Sequence, residues 1–239
     1  MGPSIRLFLN VALRPGESVE ATPGQAHYLR DVMRRPAGAE VRLFNGQDGE
    51  WSARIASLAR GDRATLAVEA PVRPQAAEPD VWLFFAPLRR DMTELVVQKA
   101  TELGASRIGA VLTARTEHPR VNLDRWRAIA VEAAEQCERL TLPSFAEPVR
   151  LADLLGGWPP DRPLLACLEW SDAPLLAPVP PPAALLIGPK GGFAPDERAM
   201  IGRAARPVSL GTRVLRAETA AIAGLAMLLI PLAAPPSAA

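Results

Sequence analysis

The sequence predicts an α/β domain with a mostly parallel sheet, preceded by a small β-rich domain. Beyond about residue 80, apolar runs of strand length alternate with helical patterns, and such βα alternation puts helices on both faces of a parallel sheet. Before residue 74, short alternating runs are separated by turn residues instead. Two late apolar runs end in glycine-punctuated turns, Gly188-Pro189-Lys190-Gly191-Gly192 and Leu210-Gly211-Thr212-Arg213, each followed by a helical pattern.

The first domain, residues 1–73, has candidate strands at 5–11, 40–44, 51–58 and 64–68. Asn45-Gly46 and Gly61-Asp62 supply turns between them. One helix interrupts the strands. Thr22 is suited to cap it, Pro23 to its first position, and Gln25 completes a capping box. Leu29, Val32 and Met33 predict a buried face. His27, Arg30 and Arg34 share another face, which reads either as solvated surface or as a contact for phosphates. Residues 73–79 read as a linker.

The second domain, residues 74–239, opens with a strand at 81–85. Asp91 is placed to cap the next helix, with Glu94 three residues on and Gly104 at its end. A strand at 108–112 precedes a long helix over roughly 123–140, with Trp126, Ile129, Ala133 and Cys137 facing inward. Further strands fall at 164–168, 184–187 and 208–210, and helices start at Pro195 and near Ala217. The proline-rich segment 174–182 is a loop, and the tail from Pro235 is expected to be disordered.

With 239 residues and 49% apolar composition, the chain can bury a sizeable core. No apolar run is long enough to span a bilayer and the N-terminus lacks a secretory pattern, which predicts a soluble cytoplasmic protein with no membrane partner. Net charge is +1, so no global basic field announces a nucleic-acid partner. Lys99 and Lys190 are the only lysines; the other basic residues are arginines, which fork onto phosphate as lysine cannot. Cys137 and Cys167 lack CxxC spacing, which argues for two buried thiols and no metal.

Glycine lets main chain approach a ligand closely, so two such turns at the carboxyl ends of neighbouring strands make a pocket built largely from backbone. The first turn is not a phosphate-binding loop, because no Lys-Ser or Lys-Thr follows its last glycine, and it does not fit GxGxxG. Alone it reads as an ordinary tight turn; the second turn changes that reading.

Ile187-Gly188-Pro189 with Gly191-Gly192-Phe193 and Glu197, the run from Leu210 to Ala220, and Lys99-Ala100-Thr101-Glu102-Leu103-Gly104 together resemble the RsmE family. These are small-subunit ribosomal RNA uridine-N3 methyltransferases of the SPOUT class. Thr113-Ala114-Arg115, Glu135-Gln136 with Arg139, and His27 with Leu29-Arg30 extend the resemblance over nearly the whole chain.

The resemblance implies an N-terminal PUA-like β-barrel that binds RNA and a C-terminal SPOUT domain knotted as a trefoil. It also implies a homodimer, S-adenosylmethionine as methyl donor, and uridine 1498 of 16S rRNA in the small ribosomal subunit as target. The cofactor would be held by the loop after Leu168, by Ile187, Gly188, Gly191 and Gly192, and by Leu210, Gly211, Val214, Leu215 and Thr219. Uracil N3 lies on the pairing edge, so the base must be unpaired or extruded first. Arg213 or Arg216 would stabilise charge on the uracil oxygens, and Glu218 would accept the N3 proton or hold an arginine. Arg216 and Glu218 equally suit a structural ion pair. Arg6, His27, Arg30, Arg34, Lys99 and Arg115 are the candidate RNA contacts, although Lys99 and Glu102 equally suit a surface pair one turn apart.

The chain departs from the family's usual pattern at Lys190, where Glu is usual, and at Ala217, where Thr is usual. An ammonium about 4 Å from a sulfonium would be repelled by about 4 kcal/mol at an effective dielectric near 20. Lys190 is therefore expected to point away from the cofactor, towards a carboxylate or RNA. Two alternatives stand beside this reading: another SPOUT RNA methyltransferase acting on a ribose 2′-hydroxyl, and a non-catalytic RNA-binding ribosome-assembly protein.

Overall fold

The computed structural model describes residues 5–59, 63–169 and 172–232. The expected Gly61-Asp62 turn and the tail from Pro235 lie outside the described residues. The chain forms two units. One runs to Ala77 and takes in Ala134–Leu142; the other comprises Glu78–Ala133 and the chain from Pro143.

In the first unit, β1 (Arg6–Phe8), β2 (Ser18–Glu20), β3 (Glu40–Phe44), β4 (Glu50–Ala59) and β5 (Arg63–Arg73) form one sheet in the order β1-β3-β4-β5-β2. β1 runs parallel to β3, and the other neighbours are antiparallel. Strand alternation turns Leu7, Leu43, Ile55 and Leu66 into a shared core. The helix α1 (Pro23–His27) starts with the expected capping box: Gln25 N donates to Thr22 Oγ1 at 3.3 Å, and Thr22 N donates to Gln25 Oε1 at 3.0 Å.

The expected buried face of this helix fails beyond Leu29. Val32 is 60% exposed and Met33 37%. The chain passes into a π-helical turn over Tyr28–Val32, closed by Met33 N donating to Tyr28 O. The wider turn carries later residues off the apolar stripe.

The second unit has β6 (Val81–Phe85), α2 (Arg90–Leu103), β7 (Arg107–Leu112), the start of α3 (Leu123–Cys137), β8 (Ser144–Arg150) and α4 (Leu151–Gly156). Then follow β9 (Leu164–Cys167), β10 (Ala183–Ile187), α5 (Pro195–Ala204), β11 (Arg206–Val208) and α6 (Ala217–Leu229). The six strands form one all-parallel sheet in the order β11-β9-β10-β6-β7-β8. β10 is buried on both faces, as a continuous apolar run implies. Its Leu185 and Ile187 join the core that includes α2 and α6, while Leu186 joins the core that includes α4 and α5. α6 lies so close to β10 that a Cβ on Gly224 would fall 2.6 Å from Leu185 Cδ2.

One expected boundary is corrected. The cap of α2 is Arg89 rather than Asp91, and its side chain makes no capping bond. Thr93 Oγ1 instead brackets Leu88, accepting from its N at 2.9 Å and donating to its O at 3.0 Å. Gly104 ends α2 in the left-handed region at φ 99°, as expected. Trp126, Ile129 and Ala133 are buried, but Cys137 and Cys167 are only partly so.

Arg6 is not an RNA contact; it is buried. Its Nε donates to Glu50 Oε1 at 2.5 Å, Nη1 to Ala134 O at 2.6 Å and Nη2 to Arg139 O at 3.1 Å. Its guanidinium also lies 4.4 Å over the Phe44 ring. The arginine thus satisfies carbonyls around the end of α3 that no later helical turn can reach. Arg73 Nε holds the other oxygen of Glu50 at 2.9 Å.

Burial opposes ionisation of Glu50, but the hydrogen bonds and charges of Arg6 and Arg73 outweigh it and hold the carboxyl below its usual range. A depressed value in the folded state stabilises above the unfolded value and is lost as pH falls through the folded one. Stability should therefore decline on acidification below about pH 4.5, the ordinary value of this group. Glu50→Gln should lower unfolding free energy at neutral pH by about 3 kcal/mol by leaving a buried arginine unmatched. It should also flatten the acid slope, both read from urea unfolding across pH.

Candidate active site

The parallel sheet changes direction twice: chain order reverses between β6 and β10, and β10 and β11 flank β9 on opposite sides. Ligands in open α/β sheets sit at the carboxyl ends of strands beside such reversals. A cavity of about 430 Å³ lies there, lined by the ends of β9, β10 and β11 and the loops that follow them. Gly192 at φ 66° and Gly211 at φ 114° allow the two turns backbone that side-chain-bearing residues rarely adopt. The walls mix backbone and apolar side chains, among them Leu168, Ile187, Leu210, Val214 and Leu215.

The loop after β10 is held from two sides. Both oxygens of buried Glu197 accept backbone N–H groups, Oε1 from Ala114 at 2.7 Å and Oε2 from Ala194 at 2.9 Å. Arg115 Nη1 donates to Gly191 O at 2.5 Å. Phe193 is buried against Gly188, where an added Cβ would come within 2.8 Å of the ring. Arg198 Nη2 donates to Glu169 O, which fixes the start of the loop after β9.

Of the residues expected to hold the cofactor, Leu168, Ile187, Gly188, Gly192, Leu210, Gly211, Val214 and Leu215 line this cavity. Gly191 and Thr219 are not among its lining residues: Gly191 contributes its carbonyl to Arg115, and Thr219 is exposed on the first turn of α6. Glu169 and Asp172 put carboxylates on the wall, and Cys167, Ser209 and Arg198 complete it. Sequence reasoning misses these residues, because isolated charges after a strand carry no spacing signal. Burial pushes the Cys167 thiol up to about 12.

A second cavity, about 390 Å³, adjoins the first and shares Pro189 and Ala217 with it. Arg213 lines the first cavity, whereas Arg216 and Glu218 line the second together with Arg89, Arg115 and Lys190. Arg216 and Glu218 share the wall of the second cavity without an ion pair to each other among the described residues. Lys99 pairs with Glu102 at 2.8 Å and lines neither cavity. On the first unit, His27 and Arg34 are exposed, and His27 and Arg30 each pair with Asp31 at 2.7 Å. Among the described residues no group of three or more His, Cys, Asp or Glu is arranged to hold a metal.

The cavity fits S-adenosylmethionine. Its volume is in the range of small-molecule sites, its apolar walls suit an adenine face, and Glu169 and Asp172 suit a cationic ligand. Lys190 is exposed and faces the second cavity rather than the first, alongside Glu117 and Glu218. Lys190→Glu should therefore leave cofactor affinity within about threefold of the parent in calorimetry, since a tenfold change takes about 1.4 kcal/mol. RNA affinity should change more, and a tenfold cofactor effect with intact RNA binding would contradict this placement.

Residues 76–229 match the model of an RNA methyltransferase domain, and residues 21–69 match an RNA methyltransferase PUA domain. The chain is 33% identical to a ribosomal RNA small subunit methyltransferase E from Synechocystis, over 94% of this chain and 78% of that one. It is 28% identical to the Rickettsia conorii protein of the same name, over 92% and 93% of the two chains. Among solved structures, a Neisseria gonorrhoeae ribosomal RNA small subunit methyltransferase E bound to S-adenosyl methionine superposes with a TM-score of 0.85 at 26% identity, covering 94% of this chain and 96% of that one. A Legionella pneumophila protein solved with the cofactor SAM gives 0.87 at 29% identity, covering 96% and 98%. The parallel sheet with its glycine-loop cavity and the small β unit before it are thus of the SPOUT and PUA-like kinds, and the chain belongs to the ribosomal RNA small subunit methyltransferase E family.

Proposed function

We propose that this protein transfers the methyl group of S-adenosylmethionine to N3 of uridine 1498 in the 16S rRNA of the small ribosomal subunit. The observation that carries the proposal is the adjacency of the two cavities across Pro189 and Ala217. One suits the cofactor; the other has the charges needed for an extruded uracil.

The bound cofactor supplies an electrophilic methyl group on sulfur. The glycine turns fix its position through main chain, so the base is aligned by the walls of the second cavity. Arg216, at the start of α6, stabilises negative charge on a uracil oxygen as N3 loses its proton. Glu218, two residues further along that cavity wall, accepts the proton. Arg213 stays on the cofactor side. The exposed His27 and Arg34 and the half-buried Arg30 of the first unit contact RNA phosphates, and Arg115 both holds Gly191 and faces the substrate.

The protein acts as a cytoplasmic homodimer on this reading. No helix among the described residues is long and apolar enough to cross a membrane. α6 keeps an apolar sequence on faces that its own unit only partly covers, with Ile222, Ala226 and Met227 half-buried and Ile230 63% exposed. Sedimentation at micromolar concentration should give twice the 25.6 kDa chain mass; a lone monomer would remove the dimer. The activity is tested by mass spectrometry of 16S rRNA from cells lacking the protein, which should show unmethylated uridine 1498. Restoring the wild-type chain should restore the methyl group, and Arg216→Ala should slow its transfer by about a hundredfold or more.

A further inference from the structure

A third cavity continues from the second. It holds about 540 Å³, between the start of α2 and the segment that leads into α3. Leu88, Glu117 and His118 line both, so the three spaces form one trough that starts at the glycine turns. We propose that the third cavity binds the ribose-phosphate of a nucleotide next to the target uridine in the same RNA strand. The inference rests on the function proposed above.

The chemistry of the walls separates this from other occupants. Arg90 and Arg125 share the single carboxylate of Glu94, at 2.8 and 3.0 Å, so the pair leaves a positive surplus. Arg120 and His118 are exposed on the same rim and make no ion pair or hydrogen bond among the described residues. Their donors are open to an anion. The Trp126 ring offers no platform for a base: it is 2% exposed and already stacked on Phe85, with centroids 5.6 Å apart. Arg90, Arg120 and Arg125 outnumber the carboxylates of Glu94 and Glu117 on this wall, and a net cationic wall without a free aromatic face suits backbone positioning rather than base reading. The rim is also held in place, since Arg125 N donates to Asn122 Oδ1 at 3.0 Å and Thr113 N to Thr116 Oγ1 at 2.9 Å. A base drawn into the second cavity brings its flanking phosphates along, and the trough carries them past Glu117 and His118 to Arg120.

The test compares the parent with Arg120→Glu and Arg120→Gln on purified small ribosomal subunits. Arg120→Glu should raise KM for the subunit by roughly tenfold or more and Arg120→Gln by less, with kcat within about twofold. The logarithmic salt slope of subunit binding should fall by roughly one, as for one lost phosphate contact. Affinity for S-adenosylmethionine alone should match the parent. Parent-like KM and salt slope in Arg120→Glu would overturn the proposal. An altered sedimentation mass with an unchanged slope would also overturn it, by making the cavity a contact between copies. If the parent itself methylates no small subunits, the functional reading fails and the track fails with it; parent activity with an unaffected Arg120→Glu removes the track alone.

Discussion

Both oxygens of the buried Glu197 carboxylate accept backbone N–H groups from separate segments, and the candidate site keeps its shape through that bridge. Ala194 belongs to the loop after β10, which walls the first cavity. Ala114 precedes Arg115, which reaches back to Gly191 and faces the second cavity. A charge-accepting bond of this kind is worth more than a neutral one, and removing it would leave two backbone donors without partners. The two loops are thereby tied to each other through one side chain, beside both cavities.

The sheet supplies the rest of the positioning. α6 approaches β10 closely at Gly224, where no side chain stands between them. That contact sets the depth at which the amino end of α6 emerges, with Arg216 as its cap residue and Glu218 in its first turn. Site residues thus ride on a rigid helix whose seat is a buried strand, rather than on a loop free to drift.

Much of this is legible in the sequence because parallel strands buried on both faces are unbroken apolar runs, as 81–85 and 183–187 are. Glycine turns at strand ends likewise announce a pocket before any fold is known. β8 is invisible for the opposite reason: it is a half-exposed edge strand carrying Pro148, and the register slips there between Ala146 and Val149. The burial of Arg6 cannot be read locally. It appears only when Glu50 and the carbonyls of Ala134 and Arg139, distant in sequence, surround one guanidinium. The capping of α2 misleads because the helix starts one residue before Asp91, whose carboxylate pairs with Arg89 at 2.7 Å, and the cap residue Arg89 makes no side-chain capping bond. Glu169 and Asp172 carry no pattern, and only the closing of three strand ends makes them neighbours of the glycine turns.

A pocket that stores an alkylating sulfonium must be chemically silent towards it. Cys167 sits on the wall of the cavity proposed for the cofactor, and a thiolate at that position would compete with uracil for the methyl group. Burial pushes its thiol up to about 12, so at neutral pH the sulfur keeps its proton and stays a poor nucleophile. The same desolvation that raises the thiol thus keeps a nucleophile off the wall of that cavity.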